Sequence, residues 1–303
     1  MEHISKAQIK MVRGLKLKKN RDEAGLFVAE GHKCIEELER YFEPVLKVFK
    51  NEDLRLKIED LRFFASEKHD LKVWKSEEGK CVWASDTEIE QMSGMKTPQG
   101  EIGVFKKHSV EDLRLKIEDL RLKNEDLRWK NDDLVLVLDG VQDPGNLGTI
   151  IRTCDWFGVK HIVCSPDTAD CYNPKVVQAT MGSLGRVEVH YTNLVDWIED
   201  LRFLASEKHD LKVWKNEDLR IIGTVLDGDE LRVKSEELRV KSGETCLVVM
   251  GSEGNGISPE VRALLTDAVR IPTYPANKKA SDVVESLNVS IATGIILSHL
   301  RQV

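Results

Sequence analysis

From Leu134 to the carboxyl end, short apolar runs alternate with helical segments. The series is Leu134–Leu138, Ile150–Phe157, His161–Cys164, Pro174–Met181, Val187–His190, Ile221–Val225, Cys246–Met250 and a terminal helix from Glu285 to about Arg301. Strands of this kind, apolar along their length and separated by helices, predict an α/β fold with a mostly parallel sheet covered on both faces. Residues 1–107 read as a smaller α/β module. It has a helix over 4–21, strands at Leu26–Ala29, Val45–Phe49, near Cys81–Ala84 and at Ile102–Phe105, and a helix over His32–Tyr41. At 303 residues and 41% hydrophobic content the chain can bury two such cores.

Between and within these blocks lies repeated material. Residues Glu59 to Lys75 recur as Glu199 to Lys215 with only Phe64 replaced by Leu204, and shorter copies stand at 52–61, 111–120, 124–128, 216–220 and 229–242. A stacked-repeat architecture needs a constant period, and these copies are irregularly spaced, so they read as inserted low-complexity segments. The expected organisation is therefore a domain over 1–107, a repeat-rich linker over 108–133, and a domain over 134–303 with insertions near 199–220 and 229–244. Leu113, Leu120 and Leu127 repeat every seven residues, which fits either a short amphipathic partner helix or a tolerated surface extension.

The net charge of -7 averages over a local concentration of base. Lys6, Lys10, Arg13, Lys16, Lys18, Lys19 and Arg21 follow one another with no acid between them, a candidate footprint for nucleic-acid phosphates as well as a simple solvated face. Six scattered cysteines form no Cys-x-x-Cys pair and no Cys/His group at zinc-finger spacing, so reduced thiols and no metal site are expected. The opening Met1-Glu2-His3-Ile4-Ser5-Lys6 has no apolar h-region, and no run of about 18 apolar residues could span a bilayer. A cytoplasmic protein without membrane contact is expected.

Three segments carry chemistry. The first, Asp143-Pro144-Gly145-Asn146-Leu147-Gly148 through Arg152, follows the strand ending at Leu138-Asp139; loops at the carboxyl ends of parallel strands are where open sheets bind ligands. Asn146 and Arg152 offer donors suited to ribose and phosphate. In the second, the apolar run Leu247–Met250 enters Gly251-Ser252-Glu253-Gly254-Asn255-Gly256 and then a Ser-Pro-Glu helix start. It has neither the dinucleotide fingerprint nor a Walker lysine, and Glu253 is the carboxylate amid its glycines. The third joins Ile271-Pro272-Thr273 to Glu285-Ser286-Leu287-Asn288, where Ser286 reads as an N-cap and Asn288 as a polar residue in the first turn of an apolar helix.

In this order the three segments resemble the signature motifs of the SpoU (TrmH) family of SPOUT RNA methyltransferases. Residues Tyr172 to Ser183 also look like the family, with Thr180 where a serine is more usual. Arg21 followed by Leu26–Gly31 is similar to the substrate-binding domain, akin to ribosomal kink-turn-binding proteins, of many members. The resemblance implies a carboxyl-terminal domain with a deep trefoil knot, a homodimer with active sites near the subunit boundary, and S-adenosylmethionine as cofactor. It further implies methyl transfer to a ribose 2′-hydroxyl, in ribosomal RNA rather than transfer RNA. Thr224, Leu226, Gly251, Ile271, Ser286 and Leu287 are the implied cofactor contacts; Asn146, Arg152, Glu253 and Asn288 are the implied catalytic set. The competing readings are a non-catalytic RNA-binding or ribosome-assembly protein with this fold, and a transfer-RNA 2′-O-methyltransferase.

Overall fold

The computed structural model describes residues 2–50, 80–108, 134–207, 219–231, 245–274 and 286–301. The leucine heptads over 113–127, most of the repeats, and the expected helix start at Glu285 lie outside these. The chain forms two compact units: Met1–Ser109 with Asp170–Gly185, and Val110–Ala169 with Arg186–Val303.

The first unit holds β1 (Glu2–His3), β2 (Leu26–Glu30), β3 (Pro44–Lys50), β4 (Lys80–Ala84) and β5 (Glu101–Lys106) in the order β1-β4-β3-β5-β2. Strand β5 is antiparallel to both of its neighbours, β2 and β3. Val12, Leu15, Val28, Val48, Val82, Ile89 and Val104 are among the residues that fill one core. The predicted helix over 4–21 is two helices, Lys6–Gly14 and Lys18–Ala24. The break is stabilised by side chains that collect the carbonyls freed at the end of the first helix. Asn20 Nδ2 donates to Gly14 O at 2.9 Å, and Arg21 Nη1 donates to Leu15 O and Lys16 O, each at 2.9 Å. A further helix, Asp86–Met92, closed by a Ser85/Glu88 capping box, was not expected from the sequence.

Segment Asp170–Gly185, which the sequence places in the second domain, belongs to the first unit. Tyr172 lies 4.9 Å from the Phe27 ring, and Arg21 bonds Asp170. Additional methyl groups at Gly182 and Gly185 would fall 2.4 Å from Glu37 Cβ and 2.3 Å from Tyr41 Cδ2, so both positions require glycine for this packing.

The second unit contains β6 (Leu134–Asp139), β7 (His161–Cys164), β8 (Glu188–Tyr191), β9 (Leu219–Glu230), β10 (Thr245–Gly251) and β11 (Asp267–Arg270). All pair in parallel in the order β11-β9-β10-β6-β7-β8, as the alternating pattern predicts. Val135, Val137, Leu247 and Val249 pack with Leu194, Trp197 and Ile198 of a helix over Leu194–Glu207. That helix was not expected, because its second half is repeat sequence. Here the repeat is structural: Leu201 packs against the core, Arg202 Nη2 donates to Leu264 O at 2.6 Å, and Leu219 from another copy opens β9. Among the described residues no helix is long and apolar enough to cross a membrane.

Candidate active site at the carboxyl edge of the parallel sheet

Chain order reverses between β6 and β10: β7 and β8 extend from one side of this pair, β9 and β11 from the other. At such a switch point the loops leaving the two central strands separate and open a crevice. Gly251 ends β10 in register with Asp139 at the end of β6. The loop after β6 leads into the helix Pro144–Trp156, where Asp143 is the N-cap, accepting from Asn146 N at 2.8 Å, and Pro144 takes the first turn. This capping fixes Asn146 in the helix's first turn. The loop after β10 folds back through paired hydrogen bonds between Ser252 and Gly256, and Ser258 N donates to Asp139 Oδ2 at 2.7 Å.

Asn288 is itself the N-cap of the terminal helix, which spans Val289–Leu300; the expectation of a Ser286 cap with Asn288 inside the first turn is corrected. Asn288 Oδ1 accepts from Ser290 N at 3.0 Å and from Ser290 Oγ at 2.6 Å. With the oxygen so committed, Nδ2 points outward and donates to Asn146 Oδ1 at 2.9 Å, and Asn146 Nδ2 in turn donates to Glu253 Oε1. Each amide has one acceptor end and one donor end, so the cap sets the polarity of the whole chain, Asn288 to Asn146 to Glu253. One residue from each of the three sequence segments is thereby joined in a single network.

Thr224 and Ile271 share this edge of the sheet. The β9 ladder against β11 passes from Gly223 directly to Asp229, leaving Thr224–Gly228 as a bulge. Thr224 Oγ1 donates to Val249 O at 3.2 Å, and Arg262 Nη2 holds Asp227 at 2.7 and 2.6 Å. That hydrogen-bonded guanidinium holds the Asp227 carboxyl below the usual carboxylate range. The Asp227–Arg262 pair was not singled out in the sequence; its members lie 35 positions apart with no local pattern linking them. Ile271 follows β11 and is partly buried, while Leu226, Ser286 and Leu287 are exposed.

Arg152 is not joined to this network. Six residues after Asn146 on one helix, it is rotated about 120° away and displaced about 9 Å along the axis; it is exposed, with no ion-pair partner among the described residues. In the first unit Lys6, Lys10, Arg13, Lys18 and Lys19 are exposed as a phosphate footprint requires, and Lys16 also binds Ser93 O at 2.5 Å. Arg21 is the exception. It is 1% exposed and committed to Asp170 and two carbonyls, so it is a structural residue and leaves the RNA-contact set. None of the six cysteines is in a disulfide, and all but Cys81 are buried. Burial pushes the Cys34 thiol up to about 11.

The SpoU rRNA methylase family model matches residues 133–298, and the MRM3-like substrate binding domain matches 6–103. A 23S rRNA guanosine 2′-O-methyltransferase of Bacillus subtilis is 30% identical over 55% of this chain and 57% of its own length. Another from Blochmanniella floridana is 35% identical over 54% and 55%. The matched region is thus a little over half of these curated relatives. Among solved structures, a TrmH-family protein from Porphyromonas gingivalis is 32% identical with a TM-score of 0.69, covering 98% of both chains. An AdoMet-bound rRNA methyltransferase from Sinorhizobium meliloti is 26% identical with a TM-score of 0.70, covering 99% of this chain and 96% of that one. The motif network, the parallel sheet and a family match over more than half the residues agree: the chain belongs to the SpoU rRNA methylase family.

Proposed function

We propose that this protein is an S-adenosylmethionine-dependent RNA methyltransferase acting on a ribose 2′-hydroxyl of ribosomal RNA. The observation that carries the reading is the Asn288–Asn146–Glu253 network at the sheet's switch point. The residues present fit the cofactor: β9, β10 and β11 bring Thr224, Gly251 and Ile271 to the same edge of the sheet, and Gly251 packs tightly against its own loop. A Cβ on Gly251 would lie 2.1 Å from Gly256 C and 2.3 Å from Ile257 N, backbone atoms that cannot rotate aside. Gly251→Ala must therefore shift the 251–258 loop, at a cost of about 1–3 kcal/mol. We expect cofactor affinity, read by calorimetry, to fall about tenfold or more; unchanged affinity would remove this loop from the binding site.

Bound S-adenosylmethionine supplies an electrophilic methyl group. Thr224, Leu226, Gly251, Ile271, Ser286 and Leu287 are the residues proposed to hold it. Asn146, Glu253 and Asn288 fix the position of the ribose, and Arg152 binds phosphate or ribose through its guanidinium donors and polarises the hydroxyl. Residues 1–107, with the exposed lysines and Arg13, present the RNA to the domain over 134–303, recognising shape and unpaired nucleotides.

Arg152 stands outside the network of its own chain, and Trp156 on the same helix is 85% exposed. On the neighbouring terminal helix Ile291 and Ile295 are exposed as well. This apolar surface supports a homodimer that places Arg152 at a subunit boundary. The trefoil knot and a cytoplasmic location complete the proposal, the knot resting on family membership.

The test is transfer of labelled methyl from S-adenosylmethionine to ribosomal and transfer RNA from a strain lacking the gene, followed by digestion to nucleosides. Label on a 2′-O-methyl nucleoside of ribosomal RNA is expected, with Arg152→Ala binding cofactor normally and turning over at least about 100-fold more slowly. Label confined to transfer RNA would change the substrate. Cofactor binding without transfer to either RNA, or no binding at all, would favour the non-catalytic reading.

A further inference from the structure

On β7 and β8, which open with His161 and Glu188, the side chains of His161, Glu188 and His190 come together. The ladder dictates this. His161 is the register partner of Glu188, and His190, two residues further along β8, is the partner of Val163. Residues in register and residues two apart on one strand share a face, so all three side chains project from the same side. Val163 on that face belongs to the core beneath the helix Leu194–Glu207. His161 Nδ1 lies 3.6 Å from Glu188 Oε2, and His190 Nε2 lies 3.7 Å from the same oxygen. One ligand atom from each residue falls within 4.8 Å of the other two.

We propose that His161, Glu188 and His190 form a binding site for a divalent transition metal of the zinc class. Two imidazoles and a carboxylate are a donor set suited to zinc. Tetrahedral zinc with bonds of about 2.0–2.2 Å separates its ligand atoms by about 3.3–3.5 Å. The two 3.6–3.7 Å separations to Glu188 need to close by only tenths of an ångström. The environment is graded: the His190 side chain is 1% exposed, those of His161 and Glu188 are 26% and 36%. One wall is therefore fixed in the sheet, and the outer side admits a water as fourth ligand. Strand β8, which carries Glu188 and His190, stands two strand spacings of about 4.8 Å each from β6, so the ion stabilises the edge of the sheet and takes no part in methyl transfer.

Two histidines in different strands, 29 positions apart, show no metal-binding pattern in the sequence; only the strand register joins them. The whole protein, freed of metal with a chelator and dialysed, is titrated with zinc chloride by calorimetry and with cobalt(II) followed by visible absorption. One equivalent bound is expected, with cobalt bands of a four- or five-coordinate site and a zinc-dependent rise in Tm. Even outer-shell changes weaken metal sites about 10–100-fold, so Glu188→Gln and His161→Ala should each weaken binding more than about 100-fold and abolish the Tm rise. Both side chains are partly exposed, so these variants avoid disturbing the buried His190. His32→Ala, at an exposed histidine beside Glu36 and Glu101, should leave the titration unchanged. No saturable binding, or binding that survives both ligand variants, overturns the site.

Discussion

Asn146→Ala is expected to lower kcat for methyl transfer about 100-fold, the penalty for losing the alignment of reacting groups, with little change in Tm. Asn146 is the middle member of its network: its Oδ1 accepts from Asn288 and its Nδ2 donates to Glu253. Removing the amide releases both neighbours at once. The helix start survives, because the Asp143 cap binds the backbone N–H of Asn146, which alanine retains. Stability and chemistry are therefore separable here, and KM for the RNA should move much less than kcat. Asn146→Asp offers no rescue. It has the shape of asparagine but sets a carboxylate against Glu253, whose only bond within the network needs a donor. A variant that kept wild-type turnover would show that the three-motif network is a structural clasp, and attention would shift to Arg152 alone.

What the sequence made legible follows the range of the interactions. Apolar runs report burial residue by residue, so β6, β7 and β10 were read to within one residue of their ends, and parallel pairing followed from the helices between them. Asn146, Glu253 and Asn288 stood out because each is a polar residue at the end of an apolar element. Their mutual bonds were not readable, since they join positions more than 100 apart. The helix Leu194–Glu207 was missed for a different reason. Its second half is repeat sequence that looks like inserted material, and nothing local signals that Leu201 packs against a core. Asn288 was placed two positions too deep because Ser286 is an equally good cap by composition. The choice is made by Asn146, which engages the other end of the Asn288 amide.

Arg21 is the position where local pattern misled most, and it carries the largest stability effect expected. In the sequence it closes a basic run; in the structure its side chain is 2% exposed against 12% for Asp170, at 2.6 Å. Arg21→Ala leaves the Asp170 carboxylate without its guanidinium and strips Leu15 O and Lys16 O of their donor. Breaking a buried pair from one side costs about 3–5 kcal/mol, because the remaining charge is left uncompensated. Because the cost lies in the stranded charge, Arg21→Ala/Asp170→Ala should recover part of it, and Arg21→Lys should not, since an ammonium cannot serve both carbonyls and the carboxylate in a planar fork. Amide hydrogen exchange locates the damage. Protection should collapse over Asp170–Gly185 and the Lys18–Ala24 helix, where these bonds reside, while the β6 amides of the other compact unit keep theirs. An arginine that served RNA would give the opposite result, with unchanged exchange in the protein alone and a shallower salt dependence of RNA binding by about one counterion.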